Sequence, residues 1–131
     1  LVKYARERRT SPVIKNLLSQ GLTLLAGDGE TGKTSLAYLI AEAVSTGNKF
    51  ADQFDTTAED VVVVELDETY LDAGKKFVLM GLAPDPDRIH FMWSFNPMAF
   101  PELRQKVQLT NAKLVIIDSL LRAAGGEICW W

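Results

Sequence analysis

Apolar positions along this 131-residue chain fall into two patterns. The first is continuous and short. Leu22-Thr23-Leu24-Leu25-Ala26, Val61-Val62-Val63-Val64 and Leu114-Val115-Ile116-Ile117 are near-unbroken runs, the pattern of strands covered on both faces of a parallel sheet. Ile89–Trp93 reads as a further strand between the last two. The second pattern is spaced. Leu36, Leu39, Ile40, Ala43 and Val44 recur at helical intervals before Gly47 and predict a helix over about 32–46. Tyr70, Ala73, Phe77 and Val78 predict a second helix over about 69–80, stopped by Gly81. Leu103 and Val107, behind a proline suited to the first helical position (Pro101), predict a short third one to about Leu109. Val13, Ile14, Leu17 and Leu18 suggest one or two amphipathic turns against the sheet.

Polar stretches separate these elements. Residues 1–20 form a polar lead-in broken at Ser11-Pro12, residues 47–60 a connection with two aromatics, and 82–88 a loop containing P-D-P-D. Strands alternating with helices predict an α/β fold, with a parallel sheet of about four strands, right-handed crossovers and flanking helices. Residues 1–131 read as a single domain, without repeats or low-complexity segments. Ligands on such sheets bind at the carboxyl ends of the strands.

That rule draws attention to Gly27-Asp28-Gly29-Glu30-Thr31-Gly32-Lys33-Thr34, which lies between the first predicted strand and the first predicted helix. It is a complete G-x-x-x-x-G-K-[ST] phosphate loop. Such a loop wraps a triphosphate with inward backbone N–H groups, so it needs glycine where a Cβ would clash or φ is positive; Gly27, Gly29 and Gly32 are the candidates. The following helix aims its N-terminal N–H groups, those of Thr34 and Ser35 included, at the phosphates. Lys33 would reach the β- and γ-phosphates, and the Thr34 hydroxyl would sit on Mg²⁺.

Two further groups are expected at the same sheet edge. Asp118 ends the Leu114–Ile117 run, where a phosphate-loop enzyme needs a carboxylate to hold Mg²⁺ opposite Thr34. Glu65, Asp67 and Glu68 follow the Val61–Val64 run. One of them could orient or deprotonate an attacking water, or all three could decorate the start of the next helix, where acids favour its dipole. His90 reads as a strand residue, with no Cys or His beside it to form a metal set, and Trp93, Trp130 and Trp131 as packing residues.

Composition narrows the classes. At 47% hydrophobic and 24% charged, the chain can bury a real core. A net charge of −3 leaves no basic footprint for nucleic acid over the chain as a whole. The local excess of Lys3, Arg6, Arg8 and Arg9 over Glu7 reads as a solvated arm. A single cysteine, Cys129, allows no internal disulfide and suits a reducing, cytoplasmic setting. No apolar run approaches the ~20 residues of a membrane helix, and no signal segment is visible in the charged first ten residues. A GTPase is disfavoured because Asn48-Lys49-Phe50-Ala51 lacks the aspartate of N-K-x-D and no D-x-x-G follows Asp118. A small-molecule kinase is disfavoured because residues 94–112 offer only Arg104 for a lid.

With these residues in view, Val13–Ser35 resembles the opening of the RecA-like ATPases related to the plasmid RepA hexameric helicases. Val64-Glu65-Leu66-Asp67-Glu68 is similar to the family stretch that carries the catalytic glutamate; Asp67, one methylene shorter, stands at that position. Leu114–Leu120 resembles the Walker B strand, and Gly125-Gly126-Glu127 the loop after it. The resemblance implies ATP and Mg²⁺ as ligands, and hydrolysis within a DNA replication or recombination motor. It also implies a homo-oligomer, a hexamer in the full-length protein, that meets single-stranded or duplex DNA through parts beyond this chain. Because the family's domain continues past Walker B with a sensor strand, the chain, which does not begin with Met, is expected to be part of a longer one. It would then bind ATP, turn it over poorly and tend to self-associate. The alternative is a non-catalytic nucleotide-binding module.

Overall fold

Four consecutive valines, stiff at χ1, favour an extended backbone and demand apolar cover on both sides of it. In the computed structural model, which describes residues 12–29 and 31–125, they form the central strand β1 (Val61–Glu65), and all five of its residues are buried. At roughly 1.5–3 kcal/mol for each fully buried valine, this strand is the main source of cohesion in the sheet. Strands β2 (Ile89–Met92) and β3 (Leu114–Asp118) flank it in the order β2-β1-β3, both parallel to it. Val61 stands opposite Ile89 on one side and Leu114 on the other, and Glu65 stands opposite Asp118.

Four α-helices, α1 (Lys33–Thr46), α2 (Tyr70–Leu79), α3 (Phe100–Thr110) and the short α4 (Leu120–Ala123), and a 3-10 turn at Pro97–Ala99 complete the described fold. The path β1-α2-β2 runs one way across the sheet and β2-α3-β3 runs back, so right-handed crossovers put α2 and α3 on opposite faces. Packing agrees. Val61 and Val63 share a core with Ile14 and with Ala41 and Val44 of α1. Val62 and Val64 pack with Met92 and with Leu103 of α3. Helix α2 joins α1 on its face, where Phe77 stacks on Tyr38 at 4.6 Å between ring centroids.

Three expectations change. Residues 22–26 take no place in the sheet, which has three strands among the described residues rather than four. Leu22 is 101% exposed and Leu24 63%. An apolar run becomes a strand only where a neighbouring edge accepts its N–H and C=O groups, and β3, which pairs with β1, does not receive it. Second, α1 buries a partly different set: Ala43 and Val44 are buried as expected, Tyr38 and Ala41 are fully buried as well, and Leu39 is exposed. Third, α2 presents less of its predicted face, since Ala73 is buried but Tyr70 and Val78 are exposed. The Val13–Leu18 segment forms a turn against the core, with Ile14 fully buried and bridged to Leu18 and Thr56.

His90 lies in β2 with its Nε2 3.1 Å from Asp60 Oδ2, and Trp93 stacks on Phe91 at 4.8 Å. No described helix is long and apolar enough to cross a membrane. Lys3, Arg6, Glu7, Arg8, Arg9, Glu30, Gly126, Glu127, Cys129, Trp130 and Trp131 lie outside the described residues.

Candidate nucleotide-binding site

The site begins where the loop 27–32 turns into α1. Gly32 is the N-cap of that helix at φ +90°, a left-handed conformation that a β-carbon disfavours. Gly27 leaves little room: a Cβ there would meet Thr31 Oγ1 at 3.1 Å, so that hydroxyl would have to give way, and would lie 3.9 Å from Lys33 Nζ. Gly29 answers neither requirement, because a Cβ there would meet nothing within 4 Å. The loop is closed by its own polar groups. Thr31 Oγ1 donates to the Asp28 carbonyl at 2.8 Å, and Lys33 Nζ donates to the carbonyls of Gly27 and Asp28 at 2.6 Å each. The lysine ammonium is thereby folded into the concave side of the loop.

Helix α1 has neither a side-chain cap nor an acidic residue in its first turn. By contrast, Thr69 caps α2 and Ser119 caps α4. The first-turn N–H groups of α1, around Lys33, Thr34 and Ser35, therefore keep their positive end for an anion. A loop that a Cβ would obstruct, an inward ammonium and an uncapped helix start together suit the phosphates of a nucleotide.

Parallel register carries two carboxylates to this edge. Thr34 Oγ1 donates to Asp118 Oδ2 at 2.7 Å, joining the loop to the end of β3 across 84 residues of sequence. Burial, followed by the charges of Asp67 and Glu68, holds the Asp118 carboxyl above its ordinary range, against the opposing Thr34 hydrogen bond. A hydroxyl beside a carboxylate is a hard-oxygen pair suited to Mg²⁺.

The three acids at and after the end of β1 take different places. Glu65 is fully buried. Its Oε2 accepts from Tyr38 Oη at 2.7 Å, and its Oε1 accepts from the N–H groups of Asp67 and Glu68 at 3.1 Å each. Burial raises its pKa, and the nearby charge of Asp118 adds to this, although the bond from Tyr38 opposes it. Glu68 Oε2 lies 3.0 Å from the same Tyr38 hydroxyl and shares its one proton with Glu65, and Glu68 Oε1 pairs with Lys76. Asp67 turns toward Asp118 and meets Ser119 Oγ at 3.3 Å and Arg122 Nε at 3.4 Å. Every described site residue read from the sequence thus lies at one sheet edge, whereas Gly126 and Glu127 fall outside the described residues.

Sequence reading missed Tyr38. One signal was available: it lies four residues after Thr34 on α1 and so projects from the same helix face. Burial pushes its hydroxyl pKa far upward, helped by the hydrogen bonds and charges of Glu65 and then Glu68. It is therefore a neutral phenol that donates.

Searches of the curated proteins and of the solved structures return no match. A family model described as AAA domain matches residues 3–128, which span the phosphate loop, the acidic loop after β1 and the aspartate at the end of β3. With that match over nearly the whole chain and this geometry beneath it, the protein belongs to the AAA domain family of P-loop ATPases.

Proposed function

We propose that this chain binds Mg·ATP through Gly27–Ser35 and Asp118 and hydrolyses it as part of a RecA/RepA-like motor acting on DNA in replication or recombination. The observation that carries the nucleotide reading is the 2.7 Å bond between Thr34 and Asp118, which brings two separately recognised motifs to one point. Lys33 supplies the ammonium for the β- and γ-phosphate oxygens, and the first-turn N–H groups of α1 supply the cradle. Thr34 and Asp118 are the residues that would hold Mg²⁺, which when bound neutralises charge on the phosphate oxygens. Asp67 is the carboxylate assigned to the attacking water: Glu65 and Glu68 face the Tyr38 hydroxyl with one oxygen each and give the other to backbone N–H groups or Lys76, whereas Asp67 meets Ser119 and Arg122 through Oδ1 alone. The motor, its DNA substrate and its homo-oligomeric state are supported by the resemblance of residues 13–127 to RepA-type helicases and by membership of a family whose members often oligomerise.

A second reading, nucleotide binding without turnover, draws on that same engagement of Glu65 and Glu68. Binding of a fluorescent ATP analogue, measured beside phosphate release, separates the two. Binding lost with Lys33→Ala together with phosphate release by the wild type supports the ATPase; binding without release supports the second reading. Undiminished binding by Lys33→Ala would contradict both.

A further inference from the structure

Tyr38 holds an unusual place for a residue outside the phosphate-loop motif. It is fully buried, one helical turn beyond Thr34, and its ring is fixed by stacking on Phe77 of α2 at an interplanar angle of 16°. Its hydroxyl stands 2.7 Å from Glu65 Oε2 and 3.0 Å from Glu68 Oε2, although it has one proton to donate. The remaining oxygen of Glu65 holds the backbone of Asp67 and Glu68, and that of Glu68 is taken by Lys76. The loop that presents Asp67 to Asp118 is therefore held from two sides: to α1 through this phenol, and to β3 and α4 through the Leu66 N–H on the Asp118 carbonyl at 2.7 Å and the contacts of Asp67 with Ser119 and Arg122.

We propose that Tyr38 is a positioning residue for hydrolysis: its hydroxyl, by tying Glu65 and Glu68 to the phosphate-loop helix, sets Asp67 against Asp118 and Thr34. This rests on the ATPase reading above. It goes beyond that reading in assigning the geometry of the acidic loop to a side chain of α1 that touches neither phosphate nor metal ligand. Removing the hydroxyl while keeping the ring leaves the stack on Phe77 and the phosphate loop intact, but it cuts the tie of the acidic loop to α1 and leaves the loop placed by β3 and α4 alone. A displacement of about 1 Å in a reacting group can cost about 10²-fold in rate.

The test compares wild type, Tyr38→Phe and the double variant Tyr38→Phe/Glu65→Gln. Each is measured for affinity toward a fluorescent ATP analogue with Mg²⁺, maximal single-turnover rate with protein in excess, and Tm. The double variant is included because Tyr38→Phe strands the buried Glu65 charge and could lower Tm. The expected result is affinity within about threefold of wild type for both variants and a maximal rate down by about 10²-fold in Tyr38→Phe. The double variant is expected to recover Tm without recovering rate. An unchanged rate in Tyr38→Phe overturns the proposal, and so does recovery of rate and Tm together in the double variant. A wild type that binds nucleotide and never turns it over also overturns it, leaving the binding reading in place. A wild type that does not bind Mg·ATP overturns the site reading itself.

Discussion

Glu65 and Asp118 stand opposite one another at the carboxyl ends of β1 and β3, in parallel register, and both are acids whose protonation is favoured by burial. Their shifts have the same sign, which makes the fold sensitive to pH in a definite direction. In the folded protein each carboxyl keeps its proton to higher pH than in the unfolded chain. The stability contributed is fully present below the ordinary carboxylate pKa and is lost as pH rises through the raised value.

Thermal unfolding should accordingly show Tm rising as pH falls from neutrality toward the ordinary carboxylate range. Glu65→Gln should flatten that slope, because its carbonyl can still accept from the Asp67 and Glu68 N–H groups while its amide can donate to Tyr38 Oη. A slope identical in the variant and the wild type would remove Glu65 as its source.

Lys33→Ala should weaken ATP-analogue binding about 10- to 100-fold, since charge-assisted hydrogen bonds contribute roughly 1.5–3 kcal/mol. Its fold should persist, because Lys33 bonds only to exposed carbonyls of Gly27 and Asp28. Gly27→Ala should give a similar loss through crowding of Thr31 and Lys33. Titration of the analogue by fluorescence anisotropy, with circular dichroism to check folding, decides both.

Thr34→Val removes the hydroxyl that meets Asp118 and keeps the size of the side chain. Nucleotide affinity should then respond less to added Mg²⁺ than in the wild type, while affinity measured in excess chelator stays within about threefold. Equal Mg²⁺ enhancement in both proteins would disprove the assignment of Thr34 to the metal.

Val63→Ala tests the central strand. The side chain is fully buried in the core facing α1, and removal of two methyl groups plus the cavity left behind should cost about 2 kcal/mol. For a chain of this size that lowers Tm by roughly 6–10 °C. A shift below ~2 °C would mean that the layer between β1 and α1 is far looser than described.

Turnover by this chain on its own should be slow. An arginine aimed at the transferring phosphate is worth ~10³–10⁵ in rate. Of the three described arginines, Arg122 is paired with Asp67 and Arg88 with Asp60 and Asp85, while Arg104 lies on α3. Phosphate release in the monomeric fraction from gel filtration should stay on the order of 10⁻⁴–10⁻³ per second, the unassisted rate of a phosphate-loop hydrolase without its arginine. Brisk steady-state release from that fraction would show that no further group is required.

Much of this was legible from contiguous residues. The Gly27–Thr34 loop could be read directly because a backbone that wraps phosphate dictates glycine, lysine and threonine at fixed spacing. The Val61–Val64 and Leu114–Ile117 runs declared their strands because doubly covered backbone must be apolar on both faces, and parallel strands must carry the residues that follow them, Glu65 and Asp118, to one edge. What the sequence could not decide were relations between distant segments. Leu22–Ala26 has the apolarity of a strand, but strand formation needs an edge to pair with, and that depends on which neighbours the fold brings alongside. The residues alone did not rank Glu65, Asp67 and Glu68; only the family resemblance set Asp67 at the catalytic position. Folding separated them by the groups it placed around each: a phenol and two N–H groups for Glu65, the same phenol and a lysine for Glu68, and a serine and an arginine for Asp67. Local chemistry named the candidates; burial and hydrogen-bond partners, which are properties of the packed chain, gave each its place.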